Sequence, residues 1–192
     1  MTVDTRARLL HAASGLLADD GVDALTLRAI ARRSGVSHGA PLKHFPHRAA
    51  LLSALAADGF RELRQRTDDA LATAPDTAGT GQRLRVGLRA YADFALERPR
   101  MFQLMFRQDL LDPEDAELRE AAKAAFVPLL TGVRELQATG WQRDADPLLL
   151  AGAVWSGVHG MAQLWAWGSL PYATGADSMD QLYDTLCKAL HL

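Results

Sequence analysis

The stretch from Thr26 to Phe45, TLRAIARRSGVSHGAPLKHF, reads as two short helices joined by a tight turn, with basic groups around the second. Leu25 and Ile30 occupy the N′ and N4 positions of a hydrophobic staple, and the Thr26 hydroxyl can cap the first free amides, so the first helix begins at Leu27. Leu27, Ile30 and Ala31 share one apolar face, while Arg28, Arg32 and Arg33 lie largely off it. Ser34-Gly35 then supplies the positive-φ position that ends a helix. Val36 can point back into a small core. Ser37 can cap a second helix, Ser37 to His44, whose opening residues His38, Gly39 and Ala40 are small or polar enough to approach a major groove. Pro41 is the fourth residue after Ser37. On this reading it removes only the first intrahelical bond, far less than the roughly 3 kcal/mol of an interior proline.

Outward from this motif every segment has helical spacing. Upstream, Leu9, Leu10, Ala13, Leu16 and Leu17 predict a helix from about Val3 to Asp20 ended by Gly21. Downstream of Pro46, a long stripe of Leu51, Leu52, Leu55, Ala56, Gly59, Phe60 and Leu63 predicts a fourth helix from His47 to about Ala74, which leaves the first module and enters a second. TAPDTAGTG, from Thr73 to Gly81, is a loop rich in turn formers. Beyond it, helices are expected over Gln82 to Arg98, Pro99 to about Gln108, Pro113 to Thr139, Pro147 to Leu170 and Ser178 to His191. Pro99, Pro113 and Pro147 stand just inside helix starts and Gly140 just past an end; Pro128 falls inside a helix, where a kink or break is expected. No strand signal competes. The fold class is all-α, about nine helices, with residues 1–50 as a helix-turn-helix module and 51–192 as a helical body.

The 192 residues carry a net charge of −2, with 48% hydrophobic and 23% charged residues, which is ordinary globular composition and enough to bury a sizeable core. The balance is uneven, +3 over residues 1–50 and −5 over the remainder, and the first part also holds His11, His38, His44 and His47. A basic module on an acidic body fits a protein presenting one end to phosphates. The lone Cys187 cannot form an internal disulfide and no signal peptide stands at the start, so a cytoplasmic protein is expected. From Leu148 to Leu170 there is no charged residue, yet His159, Gln163, two serines and four glycines interrupt the run and no basic cluster flanks it, which argues against a membrane span. A helix apolar all round is buried all round, here between its own core and a second subunit. Gly152, Ser156 and Gly160 form a smooth strip for close helix approach. With Met179, Leu182, Tyr183, Leu186 and Leu190 of the last helix they predict a four-helix homodimer interface.

The first fifty residues resemble the DNA-binding segment of the TetR family of bacterial regulators. The match runs from Thr5-Arg6 through Gly21 and Leu25-Thr26-Leu27-Arg28-x-Ile30-Ala31 to Gly35-Val36-Ser37-x-Gly39-Ala40 and His44-Phe45-Pro46. It departs at Pro41, Leu42 and Lys43, where members commonly carry Leu-Tyr-Tyr, so a phosphate-binding tyrosine hydroxyl is missing. Trp155-x-x-x-His159-Gly160 is similar to a signature of one carboxy-terminal subgroup of that family. The resemblance implies double-stranded operator DNA as partner, dimerisation through the last two helices, and repression relieved by a small effector. Geometry and resemblance together point Arg28, Ser37, His38, Gly39 and Lys43 into the groove with Ala40 close by. Thr26, His44, His47 and Arg48 then contact phosphates or hold the register.

In the body, Met101, Phe102, Met105 and Phe106 are soft, adaptable side chains that can shape an apolar cavity with Phe126, Trp155, Trp165 and His159, although plain core is the ordinary role of each. His159 reads either as a ligand contact or as a buried histidine satisfied by a neighbour. It has no second His, Cys or carboxylate at ligand spacing, so no metal is expected. Asp112, Glu114 and Asp115 lie at a helix start, where the helix dipole favours them over acid/base work. With no nucleophile, glycine-rich phosphate loop or paired carboxylates, neither catalysis nor a cofactor is expected. Two readings compete: a ligand-responsive regulator whose fourth helix tilts, through Phe60 and Leu63, when a small hydrophobic effector enters; and an all-helical enzyme or carrier with a basic interaction module.

Overall fold

The computed structural model describes residues 4–75 and 77–192. Nine α-helices follow one another among these residues, with no strand: α1 Thr5–Asp20, α2 Leu27–Ser34, α3 Arg48–Thr73, α4 Thr80–Glu97, α5 Pro99–Met105, α6 Ala116–Gln137, α7 Pro147–Ala166, α8 Ser169–Thr174 and α9 Met179–Ala189. Val3, where the first helix was expected to begin, lies outside the described residues, as does Asp76 within the expected loop. No helix among the described residues is long and apolar enough to cross a membrane. The chain forms two compact units, one of Met1–Glu62 with Arg98–Ala124 and one of Leu63–Glu97 with Ala125–Leu192. The first is larger than a fifty-residue module, since it takes in the first half of α3, all of α5 and the start of α6.

In the first unit the motif's local signals act as expected. Thr26 Oγ1 accepts from Ala29 N at 3.1 Å, Leu25 and Ile30 are fully buried, and Gly35 adopts φ +67° at the end of α2. The second helix of the motif differs. Ser37 to His44 is not α-helical; it is a series of turns ending in a 3₁₀ segment at Pro41–Lys43, closed by Ala40 N to Ser37 O, Lys43 N to Ala40 O and His44 N to Pro41 O. Pro41 explains this, because it offers no N–H to the Ser37 carbonyl and its ring crowds that carbonyl. The expected cost was one bond in an intact helix, but eight residues with a glycine at the third cannot nucleate an α-helix around that loss.

The packing of this unit is close. A Cβ on Gly59 would stand 2.8 Å from Met101 Sδ and 2.9 Å from Met105 Sδ, so the missing side chain lets α5 lie flush on α3. Arg100 donates to Ala18 O at 2.6 Å, satisfying a terminal carbonyl of α1. Glu117 receives Arg6 of α1 at 2.6 Å and also Arg61 of α3, tying three helices at one carboxylate. Helix α6 begins three residues later than its proline signalled: Asp115 accepts from Leu118 N at 2.8 Å, and Pro113 lies in the turn before it.

In the second unit, α6 runs unbroken through Pro128, so of the kink or break expected there the break does not occur. Asp146 caps α7 by accepting from Leu148 N and Leu149 N, both at 2.9 Å. The single helix expected to reach Leu170 stops at Ala166, because Gly168 turns the chain at φ +72° before α8. A Cβ on Gly157 would stand 3.5 Å from Leu186 Cδ1 of α9, the Tyr183 hydroxyl donates to Arg85 O, and Trp141 Nε1 donates to Leu190 O at 2.9 Å. Phe94, Val133 and Val154 are fully buried at its centre.

Candidate nucleic-acid interface

The capped α2 and the left-handed Gly35 hold the following turns at the surface. Arg28, Ser37, His38, Gly39, Lys43 and His44 are exposed, Ala40 is half-buried, and Pro41 and Phe45 anchor the segment to the core. Nothing lies within 4 Å of where a Gly39 Cβ would be, so backbone there is open to close approach. Thr26 uses its oxygen on Ala29, which leaves the hydroxyl proton outward. His47 Nδ1 accepts from Ala50 N at 3.1 Å, which fixes the neutral ring's proton on Nε2. Arg48 is placed differently from these. It is half-buried, with Nε donating to Leu25 O and Nη2 to Val22 O, both at 2.7 Å, so it holds the 3₁₀ turn of Val22–Ala24 under α2 and sets the register of the motif.

Arg8 and Arg33 were not singled out from the sequence. Arg8 of α1 donates to Ser34 O at 2.7 Å and Arg33 of α2 pairs with Asp19 of α1 at 2.6 Å, both tying α1 to α2. Arg6 stacks over the Phe45 ring at 5.6 Å. Leu42 is 58% exposed, next in sequence to the exposed Lys43.

Of the eight residues expected around the cavity, Trp165 is half-buried on α7 and the other seven are drawn from both units. Met101, Phe102, Met105 and Phe106 belong to the first unit. The first three are buried, and Phe106 meets Phe102 and Phe60 edge-on at 5.2 and 5.6 Å. Phe126, Trp155 and His159 come together in the second, with ring centroids 6.1 Å apart for Phe126 and Trp155 and 5.8 Å for Trp155 and His159. The residue missed is Tyr91 of α4. Its hydroxyl accepts from Trp155 Nε1 at 2.9 Å and lies 2.7 Å from His159 Nδ1. An indole can only donate, so the hydroxyl is the acceptor from Trp155, and it shares a hydrogen bond with His159 Nδ1. Burial pushes the Tyr91 phenol up and the His159 imidazole down, so both stay neutral. None of these aromatic side chains lines the open cleft of about 580 Å³ elsewhere in this unit, whose walls include Arg66, Asp69, Arg85, Arg89 and Asp93.

The fold and the exposed turn-helix surface define an all-α helix-turn-helix protein. Residues 9–55 match the family model for bacterial regulatory proteins of the tetR family, and residues 84–190 match the tetracyclin repressor-like C-terminal domain. The chain belongs to the TetR family, a class of transcriptional regulators and not of enzymes. A solved protein of unknown function from Rhodococcus sp. RHA1 is 32% identical, with a TM-score of 0.83 over 96% of this chain and 92% of that one. PfmR from Thermus thermophilus, a TetR family regulator, shares the fold at 20% identity and a TM-score of 0.67, over 95% of this chain and 96% of that one. An uncharacterised HTH-type transcriptional regulator of Mycobacterium tuberculosis is 37% identical over 86 residues, 43% of this chain and 46% of the relative, so the chain spans about half the length of the curated relatives it matches.

Proposed function

We propose that this chain binds palindromic operator DNA as a homodimer, represses transcription from it in the cytoplasm, and is released by a small hydrophobic effector. One observation carries the reading: the exposed run Ser37 to His44, held out by the Thr26 cap and Gly35, has its open, polar residues where a groove would meet them. Arg28, Ser37, His38, Gly39, Ala40 and Lys43 enter the groove, and Thr26, His44 and His47 reach phosphates. The test is a mobility-shift titration of intergenic DNA beside the protein's own gene at stepped salt. A complex that weakens linearly in log salt and resists random competitor supports the reading; equal binding of operator and competitor overturns it.

The homodimer reading is supported by α7. Leu149, Ala153, Ser156, Gly160, Leu164 and Trp167 recur at helical spacing, and Leu149 is 75% and Trp167 63% exposed, an apolar stripe that a second copy would cover. A dimer on DNA must hold its two recognition segments roughly 34 to 36 Å apart. An effector that favours the DNA-incompetent form by a typical coupling of about 1 to 3 kcal/mol lowers operator affinity 5- to 150-fold. The aromatic group around Trp155, with His159 as a polar point, suits an apolar ligand carrying one hydrogen-bonding group.

A further inference from the structure

Leu42 has no role in the interface as drawn so far, although it is a large apolar side chain 58% exposed on a polar surface. A single exposed leucine is common on any protein. This one is set apart by the geometry of its segment. In a 3₁₀ winding, side chains three apart eclipse one another; here the 3₁₀ segment Pro41–Lys43 follows a turn closed by Ala40 N to Ser37 O and is joined to it by Lys43 N to Ala40 O. The row containing Pro41 turns inward at its centre, where Pro41 is buried. Two neighbouring rows are left at the surface. One is Ser37, the half-buried Ala40 and Lys43, which is polar at both exposed ends and finishes in a cation. The other is Gly39 and Leu42, with open space over the glycine and an isobutyl group beyond it.

The two rows offer complementary contacts to a base-pair edge: a cation for acceptors such as guanine O6 and N7, and beside it an apolar group with a bare backbone next to it. In the major groove the apolar feature a base presents is the C5-methyl of thymine. Resting on the DNA-binding reading, we propose that Leu42 is a specificity-determining residue that packs on a thymine methyl in each operator half-site.

The experiment uses the full chain and a duplex recovered from random-sequence DNA by repeated binding selection. Each thymine is replaced in turn by deoxyuridine, which removes only the methyl. One thymine per half-site is expected to lose about fourfold in affinity on replacement, the worth of one buried methyl. Leu42→Ala should bind the thymine and uracil duplexes equally at that position, and Leu42→Gln, with an amide suited to adenine N6 and N7, should shift selection there from thymine towards adenine. Because the side chain is exposed, both variants should melt as the wild type does. Recovery of no preferred sequence overturns the DNA-binding reading itself. Specific binding with no methyl-sensitive thymine, or sensitivity that persists in Leu42→Ala, overturns the role of Leu42 alone.

Discussion

Burial decides how His159 behaves. Tyr91 accepts from Trp155 and shares a hydrogen bond with His159 Nδ1, so the imidazole is held away from water. Burial already lowers the His159 pKa, so the unfolded chain takes up this proton at a higher pH than the folded one. Stability is full above the unfolded value of about 6.5, falls as pH drops below it, and levels only when the folded ring protonates. Thermal melts of the wild type between about pH 7.5 and 5 should show a decline that His159→Gln flattens in part; parallel curves would count against a histidine held neutral. Tyr91→Phe removes a partner from both rings and should cost about 1 kcal/mol in urea unfolding. Arg48→Ala should cost about 1 to 3 kcal/mol, because two carbonyls lose a charged donor. The caps at Thr26 and Gly35 were legible because their partners lie within four residues. Tyr91 was not, because a tyrosine on α4 gives no sign that its partners stand 64 and 68 residues further on.

At the scale of elements, proline and glycine decided where expectation and structure parted. Pro147 and Gly35 act through their own backbone and were read correctly, whereas Pro41 acts on whether a short segment can nucleate, which depends on neighbours as poor as Gly39. Pro128 is the opposite case: α6 runs for 22 residues around it and is not broken. Gly59→Ala would drive a methyl towards two methionine sulfurs, and the overpacking should cost about 1 to 3 kcal/mol, reduced if the thioethers yield, in a denaturant titration. A Cβ on Gly160 would meet nothing within 4 Å in the single chain, so on the homodimer reading Gly160→Leu should leave the subunit folded and shift sedimentation from dimer to monomer. A dimer that keeps its affinity would place the interface elsewhere. The clamp at Glu117 makes a smaller prediction. Its partners are more than a third exposed, so Glu117→Gln should change stability by less than about 1 kcal/mol.

Across the whole molecule, the all-helical class and its helix-turn-helix start were readable because each helix carries its own period and stops. The grouping of the helices was not, because α3 and α6 each contribute to two compact units and neither changes composition where it does so. The seven effector residues are likewise drawn from both units. The four tryptophans, Trp141, Trp155, Trp165 and Trp167, all fall in the second unit, and the first has none. The intrinsic tryptophan fluorescence of the unlabelled protein therefore arises outside the unit that carries the helix-turn-helix. An emission change when operator is added, with no effector present, would be a direct optical record of communication from one unit to the other.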